Sequence, residues 1–204
     1  MSGPAAFLNP LKTGPAIVVA AIGEAEGSRG AAAALACAAA DLDLATLLID
    51  VSGRAPRPSL LASAAAQKLE ERLAAHLPEA KVAARGQVCH LAVPADEVGL
   101  ETAVAAAGVA RETTVVVHVP PAMLQEALDC GLRPSGVLLR TDLTQDRALL
   151  ALSARELMGR GLAFAVLKRR LPWVAERRAL FGALPAASQG SLPPRLLRQV
   201  GIRG

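Results

Sequence analysis

Six short apolar runs, Ala16–Ala21, Ala45–Val51, Gln87–Val93, Thr114–Val119, Gly136–Thr141 and Leu162–Leu167, recur along the chain with a helical stretch between successive runs. Most are continuous Val, Leu and Ile rather than an alternation of apolar and polar residues. As strands they need cover on both faces, which a parallel sheet held between helical layers provides. The intervening helices are predicted over Gly30–Ala40, Ser59–His76, Asp96–Ala107, Pro121–Asp129 and Thr144–Arg160. Start signals stand at Pro58-Ser59, at Pro94-Ala95-Asp96, and at Thr144 with Asp146 in the first turn. Right-handed strand–helix–strand crossovers then give an α/β fold, a three-layer, doubly wound, mostly parallel sheet. Ligands meet such a sheet at the carboxyl ends of its strands, so the residues that close each run are the ones to read for function.

The first run passes through Ile22–Gly27 into Ser28-Arg29-Gly30 and the alanine-rich Ala31–Ala40. A strand, a Gly-containing turn and a buried helix make the layout of a phosphate-binding P-loop. In its working form, G-x-x-x-x-G-K-[ST], backbone amides wrap the phosphates, the Lys neutralises them and the hydroxyl holds Mg²⁺. Aligning Gly27 with the second glycine puts Ile22 at the first, Ser28 at the Lys and Arg29 at the Ser/Thr. Glu24 and Glu26 fall inside the loop. At an effective dielectric of about 20, one like charge about 5 Å from a phosphate costs roughly 3 kcal/mol. Gly23, Gly27, Ser28, Arg29, Gly30 and Asp50 therefore read as a vestigial nucleotide site. Two readings keep some binding: Arg29 replaces the Lys in a loop one residue shorter, with Gly30 relaxing the helix start, or the helix amides hold an anion unaided.

At 204 residues and 52% hydrophobic, the chain can bury one full core. We expect one P-loop NTPase-like domain over 15–181, with tails at 1–14 and 182–204. Only 2% of residues are aromatic and none is Tyr, so Ala, Leu and Val must fill the core, and base-stacking modes of single-strand binding lack their side chains. Cys37, Cys89 and Cys130 show no C-x-x-C or metal spacing and are expected to be buried free thiols of a reducing compartment. Neither a leader pattern nor an apolar stretch of spanning length is evident, and a cytoplasmic location is expected.

The strand ends, read in order, bring out a resemblance. ATLLIDVSG, with Asp50 closing the second run, looks like the "vLLIDxD" segment of the ParA/MinD group of P-loop ATPases, and GRAPRPSL is similar to the "DxRxPxL" continuation of their polysaccharide-associated members. TTVVVHVPP resembles "dyVvvDtPP". GVLLRTDLTQDRALLALSARELMGRGLAFAVLKRR resembles the stretch running from a T-x-x-d-x-x-a-l helix to a strand ending in "vlNr". The similarity covers Ala16 to Arg170 and extends loosely into WVAERRALFGALP, similar to the tail of CpaE/TadZ-type pilus-assembly members.

The departures from that pattern fall where chemistry would occur. Ser28 stands at the P-loop Lys, Gly23 at the additional signature Lys, His118 at the switch aspartate and Lys168 at the adenine-contacting Asn. Asp50 alone is as the family has it, where it positions Mg²⁺ or the attacking water. The resemblance thus implies a degenerate member that does not hydrolyse ATP: a non-catalytic adaptor or positioning protein in assembly of a surface or macromolecular apparatus. Self-association is implied too, because members dimerise through the nucleotide face. No bound cofactor is expected, ATP being the one the layout admits. Two alternatives stay open: an ATPase with an atypical loop using Arg29 and Asp50, and a degenerate RecA-like partner-binding protein. Whether the strand ending in Asp50 lies beside the P-loop strand or is separated from it bears on the RecA-like alternative.

Taken singly, the remaining polar residues read blandly. Asp50 would serve as a strand-end or capping carboxylate, and His118 as a satisfied structural histidine. His76 and His90 stand apart from it with no metal-ligand spacing, and no metal is assigned. Ser-His-Asp catalysis lacks its G-x-S-x-G elbow. The net charge of +4 is carried mostly after Arg133. Within that region Arg169, Arg170, Trp173, Arg177 and Arg178 are the candidate contact for a protein partner. No aromatic ladder or recognition helix accompanies them, so nucleic acid is not expected, while peripheral contact with an anionic membrane stays open.

Overall fold

The computed structural model describes residues 16–21, 27–41, 45–53, 62–110, 112–141 and 147–168. The strands are β1 (Ala16–Ala21), β2 (Thr46–Val51), β3 (Lys81–Arg85), β4 (Val88–Val93), β5 (Thr114–Val119), β6 (Gly136–Thr141) and β7 (Phe164–Lys168). The helices are α1 (Ser28–Ala40), α2 (Ala64–His76), α3 (Glu97–Val109), α4 (Leu124–Asp129, entered through a 3-10 turn at Pro121–Met123) and α5 (Arg147–Gly159). One seven-stranded sheet forms in the order β3-β4-β2-β5-β1-β6-β7. Every pairing is parallel except β3 with β4. The doubly wound fold class expected from the sequence is the one formed. β5 lies between β2 and β1, so the strand that ends in Asp50 is separated from the P-loop strand by one strand.

Alternate residues of each strand face opposite layers, and the two cores divide accordingly. Leu47, Ile49 and Val51 of β2, Val115, Val117 and Val119 of β5, and Val137 and Leu139 of β6 pack with Leu69 and Leu73 of α2, Leu100 and Ala103 of α3, Leu124 of α4 and Leu157 of α5. The intervening positions, Leu48, Val88, Val116 and Leu138, face α1. Small side chains let α1 lie close on the sheet: Ala32, Ala36 and Ala39 are fully buried, and so is Leu35. Leu35 alone contributes about 2 kcal/mol of apolar transfer.

Several boundaries differ from expectation for local reasons. The second helix does not begin at Ser59, because Ser63 is extended and caps it, accepting from the Ala66 N–H at 3.2 Å. Ala62 makes an isolated bridge to Gly86 instead. The first helix starts two residues early, at Ser28, once Gly27 has turned the chain at φ 88°. β3 was not expected at all. Its sequence KVAAR is short, with a charge at each end, and only Ala83 and Ala84 are buried. Its exposed edge is partly covered by Glu70 of α2, whose Oε2 accepts from the Ala84 N–H at 3.1 Å. Cys37 and Cys89 are buried as expected, burial pushing their thiols up to about 11 and about 12. Cys130 is exposed instead, because it closes the short α4 on its solvent side. Among the described residues no helix is long and apolar enough to cross a membrane. The boundaries of the two tails lie outside the described residues.

Candidate functional site

The α1 face of the sheet changes character one step toward the carboxyl ends of its strands. Two residues beyond Leu48, Val88, Val116 and Leu138 stand Asp50, His90, His118 and Arg140, each polar within an apolar strand. Register brings Asp50 and His118 directly opposite each other on β2 and β5. Asp50, His118 and Arg140 are 1%, 6% and 3% exposed. The start of α1 lies over this row and adds Ser28 and Arg29.

Ser28, His118, Asp50 and Arg29 are joined in one hydrogen-bonded chain. Ser28 Oγ lies 2.9 Å from His118 Nε2, and His118 Nδ1 lies 2.9 Å from Asp50 Oδ1. Arg29 Nε donates to Asp50 Oδ2, and His90 Nε2 is 3.9 Å from the same oxygen. Burial raises the Asp50 carboxyl, but the hydrogen bond from His118, the charge of His118 and the Arg29 guanidinium together hold it below its ordinary 3.8. An ionised carboxylate only accepts, so His118 must carry its proton on Nδ1. In the neutral ring Nε2 is then an acceptor, and Ser28 is the donor. Burial pushes the His90 imidazole below its ordinary 6.5, Asp50 opposing that shift and Arg29 adding to it.

Gly27 gives this corner its shape. Its carbonyl accepts from the Ala31 N–H at 2.9 Å, and its positive φ starts α1 without a side-chain cap. A Cβ on it would stand 2.9 Å from Arg140 Cζ and 3.0 Å from Arg140 Nη2. Gly27→Ala should therefore lose about 1–2 kcal/mol for the left-handed backbone alone, with Arg140 displaced in addition. An unchanged urea midpoint would refute this.

Of the residues singled out from the sequence, Ser28, Arg29, Asp50 and His118 come together, with Gly27 and Gly30 in the turn and first helical turn above them. Gly23 lies outside the described residues, as do Arg169, Arg170, Trp173, Arg177 and Arg178. Lys168 ends β7. Asp50 is the centre of a charged network rather than a strand-end cap, and His90, read as remote, reaches the same carboxylate. Arg140 was missed, although a buried arginine inside GVLLRT was a visible signal. Among the described residues no group of His, Cys, Asp and Glu could hold a metal ion.

No protein-family profile matches the sequence, and no curated protein does so. Solved structures do resemble it. The MinC:MinD cell division protein complex of Aquifex aeolicus matches at 17% identity over 92% of this chain and 85% of that one, with a TM-score of 0.51. A plasmid partition protein of Borrelia burgdorferi matches at 15% identity over 83% and 84%, TM-score 0.52. The kinase domain of an Escherichia coli tyrosine kinase matches at 19% identity over 81% and 72%, TM-score 0.52. The fold is therefore that of the ParA/MinD-like P-loop NTPases.

Proposed function

We propose that this chain is a cytoplasmic ParA/MinD-like positioning or adaptor protein that does not turn over ATP and works through a protein partner or a second copy of itself. The observation that carries the reading is the closed row Arg29–Asp50–His118–Ser28. In the family pattern these positions supply the hydroxyl, the Mg²⁺-positioning carboxylate, the switch aspartate and the lysine. Here a guanidinium is paired with the carboxylate that would position Mg²⁺, and a neutral hydroxyl replaces the cation that would meet the phosphates. A magnesium ion arriving with ATP would have to displace Arg29 from Asp50. The complex of MinD with MinC supports a protein as partner, and the basic segment Lys168 to Arg178 is the contact region we assign to it. Assembly of a surface apparatus is the setting that the CpaE/TadZ-type resemblance favours.

Phosphate release and calorimetric titration with Mg-ATP test this. The expected result is no release above the protein-free blank and no saturable binding at micromolar nucleotide. A magnesium-dependent rate that disappears in Asp50→Ala overturns the reading.

A further inference from the structure

We propose that Ser28, His118 and Asp50 form a nucleophile, base and carboxylate row that transfers the acyl group of a compact ester to Ser28 Oγ and on to water. Such a row is recognised by geometry and roles rather than by position in the sequence. The missing G-x-S-x-G elbow therefore does not decide the matter. Both links are 2.9 Å and both use the required atoms, Oγ to Nε2 and Nδ1 to Oδ1. The ionised Asp50 fixes the ring in the tautomer whose Nε2 accepts the serine proton. Arg29 holds the second carboxylate oxygen and acts as a positioning residue. His118 thus faces Asp50 from β2 and Ser28 from α1; Arg29 of α1 and His90 of β4 flank that carboxylate, and Arg140 of β6 lies against Gly27.

Donors for developing negative charge are also at hand. Ser28 begins α1, where the first amides have no intrahelical acceptor and the helix dipole is positive. Those amides suit an oxyanion on a carbonyl carbon bonded to Oγ. As Oγ bonds to that carbon, the hydroxyl proton passes to Nε2 and the carbonyl electron pair moves onto oxygen. Collapse breaks the bond to the leaving alcohol, which takes the proton from Nε2. Water then repeats the sequence on the acyl-serine, releasing the carboxylic acid and restoring Ser28. Ser28 is only 7% exposed, which selects small acyl groups.

The test uses the full chain with p-nitrophenyl acetate as substrate and diisopropyl fluorophosphate as label, read by absorbance and intact mass. The expected result is ester hydrolysis that rises with pH through one ionisation, and single modification mapped to Ser28. Ser28→Ala should abolish both, and His118→Gln should slow hydrolysis by about 10²–10⁴-fold, with circular dichroism confirming that each variant is folded. Labelling of the native wild type against the same chain in urea needs no variant: faster labelling of the native form supports the row. Absence of Ser28 labelling in the native protein, equal labelling in urea, or an unchanged rate in folded His118→Gln overturns it. The outcome is separate from the ATP result, since an ATPase rate leaves the row standing and silence toward both probes leaves the positioning role standing.

Discussion

Asp50→Asn is expected to lower the unfolding free energy by about 3 kcal/mol at neutral pH, near the low end for breaking a buried ion pair. The carboxylate is 1% exposed and serves both Arg29 and His118. Its loss leaves a guanidinium and an imidazole facing a neutral amide under the start of α1. The Arg29 side chain is 24% exposed, so water recovers part of its solvation, which places the cost at the lower end of the range. In a chain of this length the melting temperature should fall by roughly 6–12 °C. The pH dependence supplies a second check. The folded pKa of Asp50 lies below its ordinary 3.8, so between those values the unfolded chain binds the extra proton. The stabilisation is complete above 3.8 and is lost as pH falls through the folded value. Urea midpoints of wild type and variant should therefore differ at pH 7 and converge below 3.8. His90 adds a separate loss beginning below its ordinary 6.5, because burial disfavours its charged form. The comparison is accordingly made as a difference between the two proteins. Coincident midpoints at pH 7, or a gap that does not narrow in acid, would sink the argument.

The sequence carried the layers well because doubly covered strands leave continuous apolar runs. β1, β5 and β6 have the bounds that those runs predict. β3 was hidden for the opposite reason: it is an edge strand whose stability comes from pairing with β4 and from Glu70, neither of which marks the five residues themselves. The site was legible in its members and not in its connections. Asp50, His90, His118 and Arg140 each interrupt an apolar strand at the same parity as the α1-facing Leu48, Val88, Val116 and Leu138. Strand order and register are needed to show that Asp50 and His118 stand side by side, with His90 one step back beside Leu48 and Arg140 one step ahead beside Ala21. Set against a working P-loop, Ser28 and Arg29 read as a failed lysine and a failed hydroxyl, which is a comparison with another protein's chemistry. Their role in this one follows only from the left-handed turn at Gly27, which brings them over His118 and Asp50.

Two glycines of α3 should respond with opposite signs to the same substitution. Gly99 donates its N–H to Asp96 Oδ1 at 2.8 Å, the capping bond that starts the helix. A Cβ placed on it would lie 1.9 Å from the Pro94 carbonyl oxygen and 2.8 Å from its carbon. Proline's φ is locked, and the preceding Val93 carbonyl is held by the Gly53 N–H at 2.8 Å, so the obstacle is backbone that does not yield. Relief must come from lifting the first turn of α3, which draws Leu100 and Ala103, 3% and 1% exposed, out of the core. The cost should be about 3 kcal/mol, at the upper end for overpacking. Gly108, nine residues on in the same helix, has nothing within 4 Å of an added Cβ. There the restricted unfolded chain and better helix propensity are unopposed, and Gly108→Ala should gain about 0.5–1 kcal/mol. Propensity favours alanine equally at both sites, so the difference of sign isolates the contact with Pro94. Urea midpoints for the two variants decide it: a shift in the same direction for both would mean that the close approach of α3 to the end of β4 does not hold.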